Sequence, residues 1–150
     1  MEHHPMSAWP ASQAGHFAAS RLMPGMDVRL TLTEWARTQG VGAAVVVGGV
    51  GSLSRAHLRF AGNAQGAELA GPWEILSLTG TLGPDGVHLH IGLADSQGHC
   101  VGGHVLAGCV VATTLEVTLA VLPDVLFRRQ HDPATGYAEL QVSQAADPRR

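Results

Sequence analysis

The sequence predicts an α+β domain: a mostly antiparallel β-sheet with one main amphipathic helix packed on it. Three observations lead to this prediction. Apolar and polar residues alternate with a period of two along most of the chain, which is typical of strands that turn one face to a core. Glycine-containing turns separate these runs at hairpin spacing. One stretch, beginning at Asp27, has apolar residues at helical spacing instead.

The predicted helix runs from Asp27 to Gly40. Asp27 is a favourable N-cap because its carboxylate can accept a hydrogen bond from a free amide of the first turn. Gly40 supplies the C-terminal stop. The apolar residues at helical spacing are Val28, Leu32, Trp35 and Ala36. Arg29 lies off this stripe, so we expect it to face away from the core.

The remaining periodic runs predict strands. They are His16 to Met23, Ala43 to Val50, Leu53 to Phe60, Trp73 to Gly80, Thr113 to Leu122 and Tyr137 to Val142. We interpret Gly51-Ser52 as a turn between two of them. A chain of 150 residues is long enough for one domain with a real core. We expect a single domain over 16–142, with a flexible arm at 1–15 and a flexible tail at 143–150.

The most informative stretch is 87–108, which holds four of the nine histidines. Leu89 and Ile91 alternate with His88 and His90, so the two histidines share a face. Gly98 stands at the left-handed position of a three-residue loop, Ser96-Gln97-Gly98. The pattern predicts an antiparallel hairpin centred on Gln97.

The predicted register brings a third histidine to that face. Pairing about Gln97 sets residues whose numbers sum to 194 opposite each other, so His90 faces His104 with His88 close by. A slip of two residues keeps the three imidazoles together, whereas a slip of one moves His104 to the other face. Three imidazoles can hold zinc or another divalent transition metal with a coordination position left open. A structural histidine cluster and an exposed face are the alternatives.

Glu74 is the candidate catalytic residue. It lies in the predicted strand Trp73 to Gly80, among apolar residues, and we expect it to be partly buried. A charge held there by an arginine is one interpretation. The other is a ligand or general base, if the carboxylate reaches the histidines.

Composition limits the classes of partner. The chain has no lysine, and its nine arginines stand against 12 acidic residues for a net charge of −3, which is not typical of a nonspecific nucleic-acid binder. A local arginine patch that contacts DNA is still compatible with this composition. Arg55 and Arg59 are four residues apart on one strand face, and Arg128 or Arg129 could join them.

Location follows from other features. Cys100 and Cys109 differ by an odd number of residues in what we interpret as one strand, so they should point to opposite faces and remain free thiols. Free thiols fit a reducing cytoplasm. The sequence has no basic-then-apolar leader and no apolar run of 18 residues, so we expect neither secretion nor a membrane span.

A succession of phrases in the chain resembles one family. They are RLMPGMDV from Arg21, GSLSRAHLR from Gly51, WEILSLTGTL from Trp73, HLHIGLADSQG from His88, GGHVLAG from Gly102, TTLEVTL from Thr113 and FRRQHDPATGYAEL from Phe127. They are similar to the PPC domain, "plants and prokaryotes conserved", over roughly residues 17–142. The resemblance implies a PPC-like α+β fold, a homotrimer, and relatives described as predicted DNA-binding proteins.

The resemblance transfers unevenly. His88, His90 and His104 match the family's metal or ligand site. The Arg-Gly-Arg-Pro hook of plant members is missing, and Gly71-Pro72-Trp73-Glu74-Ile75-Leu76 stands where those members have Gly-Arg-Phe-Glu-Ile-Leu. The resemblance therefore implies a DNA-binding or regulatory protein without an AT-hook.

Two alternatives come from other functional classes. One is a trimeric metal-binding protein or small metal-dependent enzyme that uses the three histidines and a small anionic ligand. The other is a trimeric assembly module without catalysis. Whether the chain is an enzyme stays open.

Overall fold

A computed structural model of the chain describes residues 9–146. It contains one helix, α1 (Val28–Thr38), and eight strands. The strands are β1 (His16–Leu22), β2 (Ala44–Arg59), β3 (Ala67–Gly83), β4 (Gly86–Ala94), β5 (Cys100–Val105), β6 (Val110–Val121), β7 (Val125–His131) and β8 (Ala138–Gln144). The first eight residues of the predicted arm and the last four of the predicted tail lie outside the described residues.

Six strands form one antiparallel sheet in the order β1-β6-β2-β3-β4-β5. The last strand also returns to β2, through the pairs Leu58 with Val105 and Arg59 with His104. Strands β2, β3, β4 and β5 therefore form a closed arrangement, in which each strand pairs with the next and β5 pairs with β2. Strands β7 and β8 form a separate two-stranded sheet. The predicted α+β class, a mostly antiparallel sheet with one helix, is confirmed.

Strand β2 is one continuous strand of 16 residues, so the turn predicted at Gly51-Ser52 is wrong. The glycine has a different reason. A Cβ at Gly51 would lie 2.0 Å from the carbonyl oxygen of Thr114, because β6 passes directly beside it. The pairing register of β2 shifts between Leu53 and Arg55. Such bulges bend a long strand and help it to pair with different partners at its two ends.

The helix and the hairpin follow their predictions. The Asp27 carboxylate accepts hydrogen bonds from Leu30 N (2.9 Å) and from Gly108 N (2.6 Å), so the cap also fixes α1 to the turn before β6. Gly40 has φ +61° just after the C-cap Gln39. The buried residues of α1 are Val28, Leu32 and Ala36.

Strand β4 turns alternate residues into the core: Val87, Leu89, Ile91 and Leu93 are at most 6% exposed. Its partner β5 has the predicted register, with His90 opposite His104 and Ala94 opposite Cys100. Gly98 adopts φ +82° in the loop, as predicted.

Other boundaries differ from prediction. Strand β3 begins at Ala67 rather than Trp73, because β2 extends far enough to pair with it as far as Ala67. The two cysteines do not share one strand, because Cys100 begins β5 and Cys109 lies just before β6, although both are free thiols as expected. Within the predicted arm, Gln13 N donates to Asp124 (2.7 Å), and β8 reaches Gln144 in the predicted tail. Within 9–146, no helix is both long enough and apolar enough to cross a membrane.

Candidate metal centre

Three histidine side chains converge on the outer face of the β4–β5 hairpin. His88 and His90 come from β4, and His104 comes from β5 directly opposite His90. The ring centroids are 4.9 to 5.6 Å apart. One nitrogen from each ring lies within 4.8 Å of the other two, and the Nε2 atoms of His88 and His90 are 3.3 Å apart.

This spacing fits a metal ion. Two nitrogens that bind one tetrahedral zinc at about 2.0 to 2.1 Å are roughly 3.3 Å apart. The His88–His90 separation already has that value, and the other separations between the candidate ligand atoms are at most 4.8 Å. Three imidazoles leave at least one coordination position for water or a ligand. The donor set therefore fits zinc or a similar divalent ion.

One of the three rings also lacks a partner that a structural cluster would need. His104 Nδ1 is buried and has no hydrogen-bond partner among the residues that the structure describes. A buried nitrogen without a partner is costly in a folded protein. By contrast, His57 Nδ1 lies 2.7 Å from the carbonyl oxygen of Ala107, and His99 Nδ1 lies 3.1 Å from Asp95 Oδ2.

Burial and positive charge lower the pKa of two of these imidazoles, those of His88 and His104. Burial is the main cause that lowers the pKa of His104 to about 4, and the charges of His88, Arg59, Arg29 and His90 act in the same direction. Burial, followed by the charge of Arg129, also lowers the pKa of His88. Metal ions bind neutral imidazole, so both side chains are in the binding form at neutral pH.

The cluster forms one wall of an open pocket of about 540 Å³. Three arginines from distant parts of the chain share this pocket: Arg29 of α1, Arg59 of β2 and Arg129 of β7. Its other side chains with polar atoms are Asp85, Tyr137 and Glu139. The β7–β8 hairpin thus brings residues near position 130 against histidines near position 90.

Gly92 and Gly102 lie beside the histidines, and contacts within the same chain account for their small size. A Cβ at Gly92 would lie 2.8 Å from Ser77 Oγ, and one at Gly102 would lie 2.8 Å from the carbonyl oxygen of Ile91. The neighbouring backbone therefore excludes a side chain at Gly102, whereas a side chain at Gly92 would require Ser77 to rotate.

Glu74 is exposed, so the prediction of a partly buried carboxylate is wrong. The register shift in β3 after Ile75 breaks the alternation on which that prediction depended. Glu74 pairs with Ala94, whereas Thr79 pairs with His90. Five strand residues separate Glu74 from Thr79, which is roughly 17 Å. The structure does not bring Glu74 to the histidines.

The three arginines singled out from the sequence have different environments. Arg59 lines the pocket. Arg128 pairs with Asp85 (Nε to Oδ2, 3.0 Å), and Arg55 Nε donates to the carbonyl oxygen of Gly108 (3.4 Å). Sequence reasoning missed Arg29, because a charged residue off the apolar stripe of a helix is indistinguishable from ordinary surface.

Comparison with known proteins identifies related sequences. The sequence profile of the Plants and Prokaryotes Conserved (PCC) domain, the family called PPC above, matches residues 10–123. The chain is 47% identical over 127 residues to Bifunctional protein GlmU of Synechococcus sp. (strain JA-3-3Ab), a match that spans 85% of this chain but 20% of that protein. It is 36% identical over 121 residues to AT-hook motif nuclear-localized protein 27 of Arabidopsis thaliana, spanning 71% of this chain and 39% of that protein.

Solved structures share the fold. A hypothetical protein from Salmonella enterica has a TM-score of 0.87 and 39% identity, covering 91% of this chain and 99% of that one. A metal-containing protein from Archaeoglobus fulgidus has a TM-score of 0.78 and 24% identity over 91% of this chain and 99% of that one. A protein of Ralstonia eutropha, provisionally named as DNA-binding, has a TM-score of 0.70 and 24% identity, covering 83% and 89%.

Proposed function

The chain belongs to the Plants and Prokaryotes Conserved domain family, and we propose that within this family it is a metal-binding module. His88, His90 and His104 hold one divalent transition-metal ion such as zinc. The observation that carries the proposal is the convergence of three imidazole nitrogens within 4.8 Å, together with a buried nitrogen of His104 that has no partner within residues 9–146. The metal would act as a Lewis acid at its open position.

The protein supplies the surroundings of that position. Burial keeps His88 and His104 neutral, and the pocket leaves the open side accessible. If the site also catalyses a reaction, the carboxylate available as a base is Glu139, because Asp85 is paired with Arg128. A metal-dependent enzyme would therefore depend on Glu139 rather than on Glu74.

Elemental analysis of protein purified without an affinity tag tests the metal site. We expect about one zinc or similar ion per chain, and its loss in the double variant His90→Ala/His104→Ala. The matched control is His57→Ala/His99→Ala, which removes two histidines with partners of their own and should keep the metal. Wild-type protein that stays metal-free after incubation with zinc would contradict the proposal, as would metal retained by the first variant.

DNA binding is the second candidate function. It is supported by the fold shared with the provisionally named DNA-binding protein and by the arginines around the pocket. Affinity for a labelled duplex should fall with salt, by a slope of about 0.9 per phosphate contact on a double logarithmic plot. Replacing Arg55 and Arg59 by alanine should weaken binding and lower that slope. If both quantities stay at the wild-type value, the contacts lie elsewhere.

We also propose that the chain assembles as a homotrimer. A trimer that serves only as an assembly module, without catalysis, is the third candidate function. Val47 and Val50, 57% and 69% exposed, line one shallow groove on the sheet. Exposed apolar groups of this kind favour contact with another protein surface. Sedimentation equilibrium should give three times the 15.6 kDa chain mass, and Val50→Asp should reduce it. A wild-type mass of one chain would contradict the trimer.

A further inference from the structure

We propose that the histidine pocket binds a small anion through a phosphate or carboxylate group, which Arg29, Arg59 and Arg129 hold beside the metal. The inference deepens the proposed metal-binding function and rests on it for the metal's share of the binding. It depends on three further features of the pocket: its uncompensated charge, the anchoring of its arginines, and their convergence from distant elements.

The charge of the pocket is strongly positive. Ion pairs among the described residues join Arg37 to Glu34, His99 to Asp95 and Arg128 to Asp85, and none includes the three pocket arginines. Guanidinium groups stay protonated at all physiological pH values. With Asp85 already paired, Glu139 is the remaining carboxylate of the pocket. Three cations therefore face one carboxylate, before any metal charge is added.

Two of the guanidinium groups are held in place by the protein. Arg29 Nη1 donates to the carbonyl oxygen of Val105 (3.1 Å), and Arg129 Nη2 donates to Thr81 Oγ1 (2.9 Å). Each bond uses one nitrogen and leaves other donors of the planar group free. A guanidinium fixed in this way loses little further entropy when it binds an oxyanion, and its fork matches carboxylate and phosphate oxygens.

The third arginine is fixed by the strand register. Arg59 pairs with His104 where β5 closes against β2, so its side chain starts directly beside a proposed metal ligand. Arg29 and Arg59 line the same pocket as the three histidines. The two guanidinium groups therefore border the position where a bound metal would have its open coordination site.

These features select the ligand class. An anion with one oxygen on the metal and others on the arginines would offset this positive charge, whereas a cationic organic ligand would be repelled by the metal and the arginines together. Arginine–oxyanion bonds are charge-assisted, and losing one costs about tenfold or more in affinity. Phosphate and carboxylate share this chemistry, so the two must be distinguished by experiment.

Calorimetric titration of the full chain with inorganic phosphate, and separately with succinate, tests the inference. We expect zinc-loaded wild type to bind at least one of the two anions, and the one bound identifies the ligand group. Arg59→Met and Arg129→Met should each weaken that binding at least tenfold while keeping zinc and the wild-type circular dichroism. Arg37→Met is the matched control, because Arg37 shares α1 with Arg29 but pairs with Glu34 and does not line the pocket.

The same titration on zinc-free protein separates this inference from the metal site. Arginine-dependent binding without zinc would support the anion pocket even if no metal binds and the metal-binding proposal fails. Zinc-loaded protein that binds neither anion would overturn the inference and leave the metal site standing. Equal binding by wild type and both pocket variants would also overturn it.

Discussion

The two ends of the β4–β5 hairpin carry histidines with opposite surroundings. At the closed end, the Asp95 carboxylate accepts hydrogen bonds from Gln97 N (2.8 Å) and His99 N (2.9 Å) and lies 3.1 Å from the His99 ring nitrogen. At the open end, the His104 ring has a buried nitrogen without a partner among the described residues. Hydrogen bonds within the loop account for His99, whereas the contacts at the open end do not account for the three histidines there.

This difference shows how a structural histidine can be told from a binding one. His99 completes a turn, because its backbone N–H and its ring nitrogen both have Asp95 as their partner. His88, His90 and His104 bring three electron-pair donors together, at a cost in desolvation that a bound ion would offset. We therefore expect zinc to act on the open end alone, and pH to act on the two ends in different ranges.

The largest expected effect is stabilisation by zinc. At a free zinc concentration one hundred times the dissociation constant, the free energy of unfolding should rise by about 2.7 kcal/mol, because the ion binds the folded chain. Denaturant unfolding of zinc-free protein with and without added zinc measures this. His99→Ala should respond to zinc like the wild type, and His90→Ala should not. A zinc response that survives in His90→Ala would place the ion elsewhere.

A smaller effect should appear in the pH dependence of zinc-free protein. The pKa of His104 is about 4 in the folded chain, against an ordinary value of 6.5. Between these values the unfolded chain binds more protons, so the free energy of unfolding should fall as pH falls from 6.5 towards 4. His104→Gln should flatten this decline. Unfolding curves at half-unit pH steps would reveal it, and an unchanged slope in the variant would remove His104 as the cause.

The closed end should respond in a more acidic window. The amide of His99, followed by other donors in the loop, lowers the pKa of Asp95 below its ordinary 3.8. Its contribution to stability is present above that value and is lost as pH falls through the lower, folded value. Asp95→Asn should remove this acid component while zinc content stays at the wild-type level. Acid unfolding with zinc analysis checks both parts, and loss of zinc would mean that the two ends are coupled.

The sequence predicted the centre of the site because local rules control it. Alternation assigns His88 and His90 to the outer face, and Gly98 fixes the loop that aligns His104 with His90. A one-residue error would have reversed the face of every side chain, so a correct turn position was sufficient.

The rest of the site depends on contacts between distant parts of the chain. Arg29 and Arg129 reach the pocket because α1 and β7 pack around the closed part of the sheet, and no local pattern marks this. Gly51 was misinterpreted for the same reason, since its glycine is required by β6 rather than by a turn. Long-range packing thus decides what surrounds a centre whose register is set locally.

The smallest expected effect concerns Glu74. Because this carboxylate is exposed and roughly 17 Å along β3 from the residue beside His90, Glu74→Gln should leave zinc content and anion affinity within about twofold of wild type. Elemental analysis and the phosphate titration measure both, with Glu68→Gln on the same strand as the control. A specific loss in Glu74→Gln could not arise within one chain of this geometry. It would mean that a second copy of the chain brings its Glu74 to the histidines, and the contrast within one hairpin would become a contrast between subunits.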